Sequence, residues 1–170
     1  MKSPFAIPFV GLKQGIHEFE FDIDKSFFES LPYSLIENGR LSAYLELEKK
    51  ETMLIAQLDV VGFIFTDCDR CTEPLTQEIE GDMTLYYTFG EEESEDENLL
   101  VLALESYQID LTQPLYELIS LSLPAKMVHE EGECNEEMVE LINKYQQPSS
   151  DSKTDDDEID PRWSALKNLN

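Results

Sequence analysis

What this chain has least of is positive charge. Twelve lysines and arginines stand against 37 aspartates and glutamates, a formal net charge of −25. Non-specific nucleic-acid binding draws its free energy from cations that displace counterions along the phosphate backbone, and so few cations cannot do that over a broad surface. Any contact with RNA or DNA has to be local. Most of the acidity serves solubility, and attraction to a basic protein is its sharper use.

Long apolar runs are also missing. None approaches the roughly 20 residues that a membrane-crossing helix needs. The opening MKSPFAIPFVGLKQG is broken by Pro4, Pro8 and Gly11 and lacks the apolar centre of a secretory leader, so a cytoplasmic protein with no membrane partner is expected. Cysteine is sparse and odd in number, at three, which argues against a disulfide framework; in a reducing compartment a spaced pair more often serves metal or catalysis. With two histidines, no Ser-His-Asp arrangement, no glycine-rich phosphate loop and no nucleophile beside an evident base, a thiol or metal enzyme has little to stand on.

What is present suffices for one core: 170 residues, 41% of them hydrophobic. Leu41, Ala43, Leu45 and Leu47 alternate with polar neighbours and predict a half-buried strand, and KKET then turns the chain. Residues 53–66 predict a second strand, whose VVGFIF is apolar on both parities and is therefore expected to be covered on both faces. Ile79, Met83, Leu85, Tyr87 and Phe89 place a third strand after Pro74. Phe19, Phe21 and Ile23 suggest another near the start, and LLVLAL at 99–104 one more.

The last third changes period. Asp110 and Thr112 compete as helix caps ahead of Pro114 and a stripe of Leu111, Leu115, Leu118 and Ile119; EEMVELINKYQQ at 136–147 predicts a second helix. The fold class is α+β: an antiparallel sheet, able to curl toward a barrel, followed by C-terminal helices. A single domain is expected over 1–146, a flexible acidic linker over 147–157, and a short capped helix over 158–170 whose Trp163 and Leu166 either dock a partner or, the commoner outcome for a tail with a tryptophan, fold back onto the domain.

The chemistry concentrates in TDCDRCTEPL at 66–75, where Cys68 and Cys71 lie between two strands. A thioredoxin-type pair needs its first cysteine at a helix N-terminus, and here a strand follows, while Asp67 and Asp69 would push a thiol pKa up. Two strands joined by C-x2-C form a knuckle, half of a structural Zn2+ site. HEEGEC at 129–134 supplies the other half, completing a set of Cys68, Cys71, His129 and Cys134; His17 is a lesser alternative ligand. The competing reading makes the cysteines small buried apolar groups lining a turn, with His129 a polar loop residue. Four protein ligands leave no open position for a hydrolytic water, so a metal here would be structural. Arg70 and Lys126, with Lys49 and Lys50 at a hairpin tip expected nearby, would make a small basic spot for phosphate contacts; the competing and commoner reading leaves them as solvated surface charges.

Three segments in order, CDRCTEPL, the block IDLTQPLYELISLSLPAKMVHEEGEC at 109–134 and the ending DPRWSALKNL, resemble the YceD family from about residue 40 to the C-terminus. That family is a set of bacterial and plastid proteins described as large-subunit ribosomal RNA accumulation factors. The resemblance implies a non-enzymatic role in ribosome biogenesis, with large-subunit rRNA or a pre-ribosomal particle as partner. An acidic chaperone or binding module for a basic ribosomal protein is the alternative.

Overall fold

The structure, a computed structural model, describes residues 4–90, 96 and 98–146. The chain divides into two compact units, Met1–Asn135 and Glu136–Asn170. In chain order the first unit contains β1 (Ala6–Pro8), β2 (Gly15–Ile23), α1 (Lys25–Glu29), β3 (Asn38–Lys49), β4 (Met53–Asp67), β5 (Pro74–Phe89), β6 (Leu99–Leu102), β7 (Gln108–Asp110) and α2 (Thr112–Leu121).

Strands β2 to β6 form one sheet in sequential order, antiparallel except where β6 joins β5 in parallel; β1 and β7 pair antiparallel as a separate ribbon. The class is α+β, and the sheet stays open, with β2 and β6 at its edges. Period-two alternation drives one face inward: Leu41, Ala43, Leu45 and Leu47 on β3, Leu54, Ala56, Leu58, Val60 and Ile64 on β4, and Ile79, Leu85 and Tyr87 on β5 are all buried.

Both helices of this unit pack on that inner face. Asp24 caps α1 by accepting from the Ser26 amide at 2.8 Å, and Phe27 and Phe28 are buried beneath it. At α2 neither expected cap takes the N-cap position, which falls to Leu111 with no side-chain cap bond; Asp110 Oδ1, one residue earlier, accepts from the amide (2.9 Å) and hydroxyl (2.6 Å) of Thr112. The stripe of Leu115, Leu118 and Ile119 then faces the core. The β1–β7 ribbon completes the cover, with Phe5 against Phe21 and Phe9 against Phe89, each at 5.6 Å between ring centroids.

One expectation fails here. The far end of β4 is not covered on both faces: Val61, Phe63 and Phe65 are 42%, 44% and 41% exposed. An unbroken apolar run predicts double burial only if a second layer lies on the other side, and α1, α2 and the β1–β7 ribbon all lie on the same side. Gly62, between these residues, has φ +152°, and a Cβ there would stand 2.4 Å from the Arg40 carbonyl oxygen. Glycine lets β4 run tight against the β3 backbone there.

In the second unit, α3 (Glu136–Tyr145) carries Glu136 and Glu137 in its first turn and Lys144 in its last, matching the helix dipole at both ends. Met138, Val139 and Ile142 form its apolar stripe, half-buried. The linker and terminal helix expected over 147–170, with Trp163 and Leu166, lie outside the described residues.

Candidate metal centre

The β4–β5 turn is built by the backbone before any metal is considered. The Cys68 amide donates to the Glu73 carbonyl (2.8 Å) and the Thr72 amide to the Cys68 carbonyl (2.8 Å), with Thr72 taking a left-handed φ of 59° to close the bend. The segment after α2 is stapled onto this turn by two bonds of Met127: its carbonyl accepts from the Asp69 amide (2.8 Å), and its amide donates to Asp69 Oδ2 (2.7 Å). Asn135 Nδ2 reaches Glu73 Oε1 at 3.3 Å and ties the end of the same segment.

These ties bring Cys68, Cys71, His129 and Cys134 together, with their ligating atoms all within 4.8 Å of one another. Cys68 Sγ and Cys134 Sγ are 3.9 Å apart, and His129 Nδ1 lies 3.4 Å from Cys71 Sγ and 4.0 Å from Cys134 Sγ. A tetrahedral zinc with ordinary bond lengths separates its sulfur ligands by roughly 3.8 Å and a sulfur from a nitrogen by roughly 3.5 Å. The Cys68–Cys134 and Cys71–His129 separations match that ion, and Cys134 would close on His129 by about half an ångström to hold it. His129 Nε2 faces the Pro74 carbonyl at 3.1 Å, which holds the ring with Nδ1 turned to the sulfurs, as an outer partner does for a metal-bound imidazole.

The electrostatics favour thiolate in the knuckle. Burial pushes the Cys68 thiol up, but amides of His129, Cys71 and Arg70 outweigh it and bring the group down to about 6. Cys71 is also lowered: burial opposes, and the Asn135 and Glu73 amides prevail. Cys134 is raised, by burial first and then by the neighbouring Cys71 and Cys68, and His129 is raised chiefly by its bond to Cys71. Crowded sulfurs that oppose one another's ionisation are the condition that a cation among them relieves.

The four residues of the expected basic spot do not converge. Arg70 is exposed with Nη1 3.8 Å from Cys134 Sγ, and Lys126 adjoins the Met127 staple, so these two flank the same corner. Lys49 and Lys50 sit at the β3–β4 turn, the opposite end of β4 from the knuckle, with fifteen residues, roughly 45 Å of strand, between. In an antiparallel meander successive turns alternate ends, so adjacency in sequence misled. Lys49 is moreover occupied, its Nζ donating to the carbonyls of Phe9 and Leu12 at 2.8 Å each, and Lys50 pairs with Glu48 at 3.1 Å. His17 bonds Lys13 and pairs with Leu47 in the β2–β3 ladder, away from the sulfurs.

The sequence model of one family, described as "Large ribosomal RNA subunit accumulation protein YceD", matches residues 56–170. The chain belongs to the YceD family. The matched region opens inside β4 and contains all four clustered ligands; β1, β2 and β3 precede it. No curated protein and no solved structure matches the chain. The family description names the accumulation of a ribosomal RNA and no catalysed reaction.

Sequence reasoning missed the outer partners of the site. Pro74 and Met127 act through main-chain groups, which carry no residue-type signal; the C-x2-C-x2-P spacing, with the carbonyl arriving as β5 begins, is the only trace of the first.

Proposed function

We propose that this protein is a non-enzymatic factor of large-ribosomal-subunit formation, needed for its ribosomal RNA to accumulate or be processed, with Zn2+ held by Cys68, Cys71, His129 and Cys134 as a structural corner. Membership of the YceD family carries the first part. The four-ligand cluster supports the second, because a full protein ligand set supplies folding energy and leaves no site for water or substrate. Bound there, zinc would fix the segment between α2 and Asn135 against the β4–β5 turn.

Depleting the protein from growing cells tests the role. The ratio of large-subunit to small-subunit rRNA should fall, and an unchanged ratio with normal subunit profiles overturns the reading. Purification of tagged protein with and without RNase then separates a partner held through RNA from one held directly. Elemental analysis of protein purified without a metal-chelating tag should give one zinc per chain.

A further inference from the structure

The outer face of the five-stranded sheet has no role in the reading above, and its composition is unusual. The register places Glu18, Glu20 and Asp22 of β2, Glu46 and Glu48 of β3, Asp59 and Asp67 of β4, and Glu78, Glu80 and Asp82 of β5 on the same side. Arg40 is the one cation on that side of these strands. Through this acidic field runs the exposed ridge of Val61, Phe63 and Phe65, with Tyr44, 45% exposed, on the neighbouring strand.

Two features speak against a face that merely solubilises. Solubility calls for charge without exposed phenylalanines, which leave apolar area in water at a cost. Moreover, Glu18 stands directly opposite Glu46, and Asp59 directly opposite Asp82. Like charges facing across a ladder cost stability, and among the described residues none of these four makes an ion pair. Arg40 opposite Phe63 does not offset them.

We infer that this face docks a basic polypeptide segment: lysines or arginines of the partner meet the carboxylate rows, and apolar side chains of the partner cover Val61, Phe63 and Phe65. Charge complementarity selects this occupant. RNA is repelled by the carboxylates, and a second copy of the chain would bring the same acidic face. The chain's own segment 147–170 carries six acidic residues against three basic ones, the same sign as the face. Only the identity of the partner as a ribosomal protein, the class of basic protein that large-subunit formation offers, rests on the functional reading; the face does not.

Site-specific photocrosslinking of the full chain in growing cells tests the inference. A benzophenone amino acid at Val61 or Phe63 should give an adduct with a basic protein, identified by mass spectrometry, and the same group at Leu104, exposed but off this face, should not. Glu78→Lys with Glu80→Lys should lower the adduct yield about tenfold, since these carboxylates lie opposite Phe63 and Val61. Both sites are exposed and the substitutions reduce the repulsion on the face, so the variant should melt no lower than the unaltered chain; if it melts lower, Phe63→Ser with Phe65→Ser must give the same loss of adduct. An adduct with RNA, with an acidic protein, with a second copy or with residues 147–170 overturns the inference, as does no adduct. The crosslink is read independently of rRNA levels: lost crosslinking beside a lowered rRNA ratio on depletion refutes the face alone, and the converse refutes the role alone.

Discussion

Cys134 reaches the cluster from the far side of a long loop, so its removal tests the corner with the least damage to the sheet. Cys134→Ser should abolish zinc in elemental analysis and lower stability by more than about 3 kcal/mol, the range of a lost structural metal. Limited proteolysis should then cut between residues 123 and 135 first. A variant that keeps its zinc and its melting temperature would return the cysteines to the rank of buried apolar groups. Tyr87 gives a second test, with a defined pH sign. Its hydroxyl is buried and, among the described residues, makes no hydrogen bond, and burial, followed by the charges of Asp110 and Glu117, raises its pKa above the usual tyrosine value. The folded state therefore holds the proton after the unfolded chain, titrating at about 10, has begun to lose it. Tyr87 favours folding fully below that pH and progressively less as pH rises toward its folded pKa. Tyr87→Phe should change stability at neutral pH by less than about 1 kcal/mol, since no bond is lost. It should also flatten the alkaline decline in chemical unfolding; an unchanged decline would mean the phenol is solvated.

At the scale of elements, Gly62 is the position where sequence, geometry and energy meet most directly. Gly62→Ala places a methyl group against the backbone of Arg40 and Leu41 at a φ that alanine rarely adopts. It should cost on the order of 2 to 3 kcal/mol in denaturant unfolding. A loss below about 0.5 kcal/mol would show that β3 yields there without strain. How much of the architecture could be read beforehand follows the same physics. β3, β4 and β5 run 12, 15 and 16 residues, long enough for period-two alternation to identify them, and α2 has an apolar stripe just after Asp110, whose carboxylate bonds the Thr112 amide. Three-residue β1 and β7 and five-residue α1 are too short to carry a period; they exist because Phe5, Ile7, Ile109, Phe27 and Phe28 are pinned by the core they cover. The four clustered ligands were legible because soft ligands are so scarce in this chain. The open side of β4 was not: VVGFIF reads alike whether a layer covers it or a partner does, and only the placement of the helices decides.

The charge of the whole molecule has a thermodynamic signature that separates it from stabilisation by surface pairing. Among the described residues the ion pairs are Lys25 with Glu29 (3.3 Å) and Lys50 with Glu48 (3.1 Å), both exposed and each worth well under about 1 kcal/mol. Against them stands the mutual repulsion of a chain at −25, including carboxylates that face each other across the sheet. Salt screens both, and here repulsion is the larger: shortening the Debye length from about 30 Å at 0.01 M to about 8 Å at 0.15 M should raise the melting temperature. A flat or falling response would mean that repulsion does not limit this fold. Asp59→Asn with Asp82→Asn relieves one opposed pair and should add about 0.2 to 1 kcal/mol while shrinking the salt effect. If the doubly substituted chain is more stable yet captures its basic partner less well, the repulsion is kept for binding: the free protein holds its acidic face at a cost in stability that the partner's cations remove on docking.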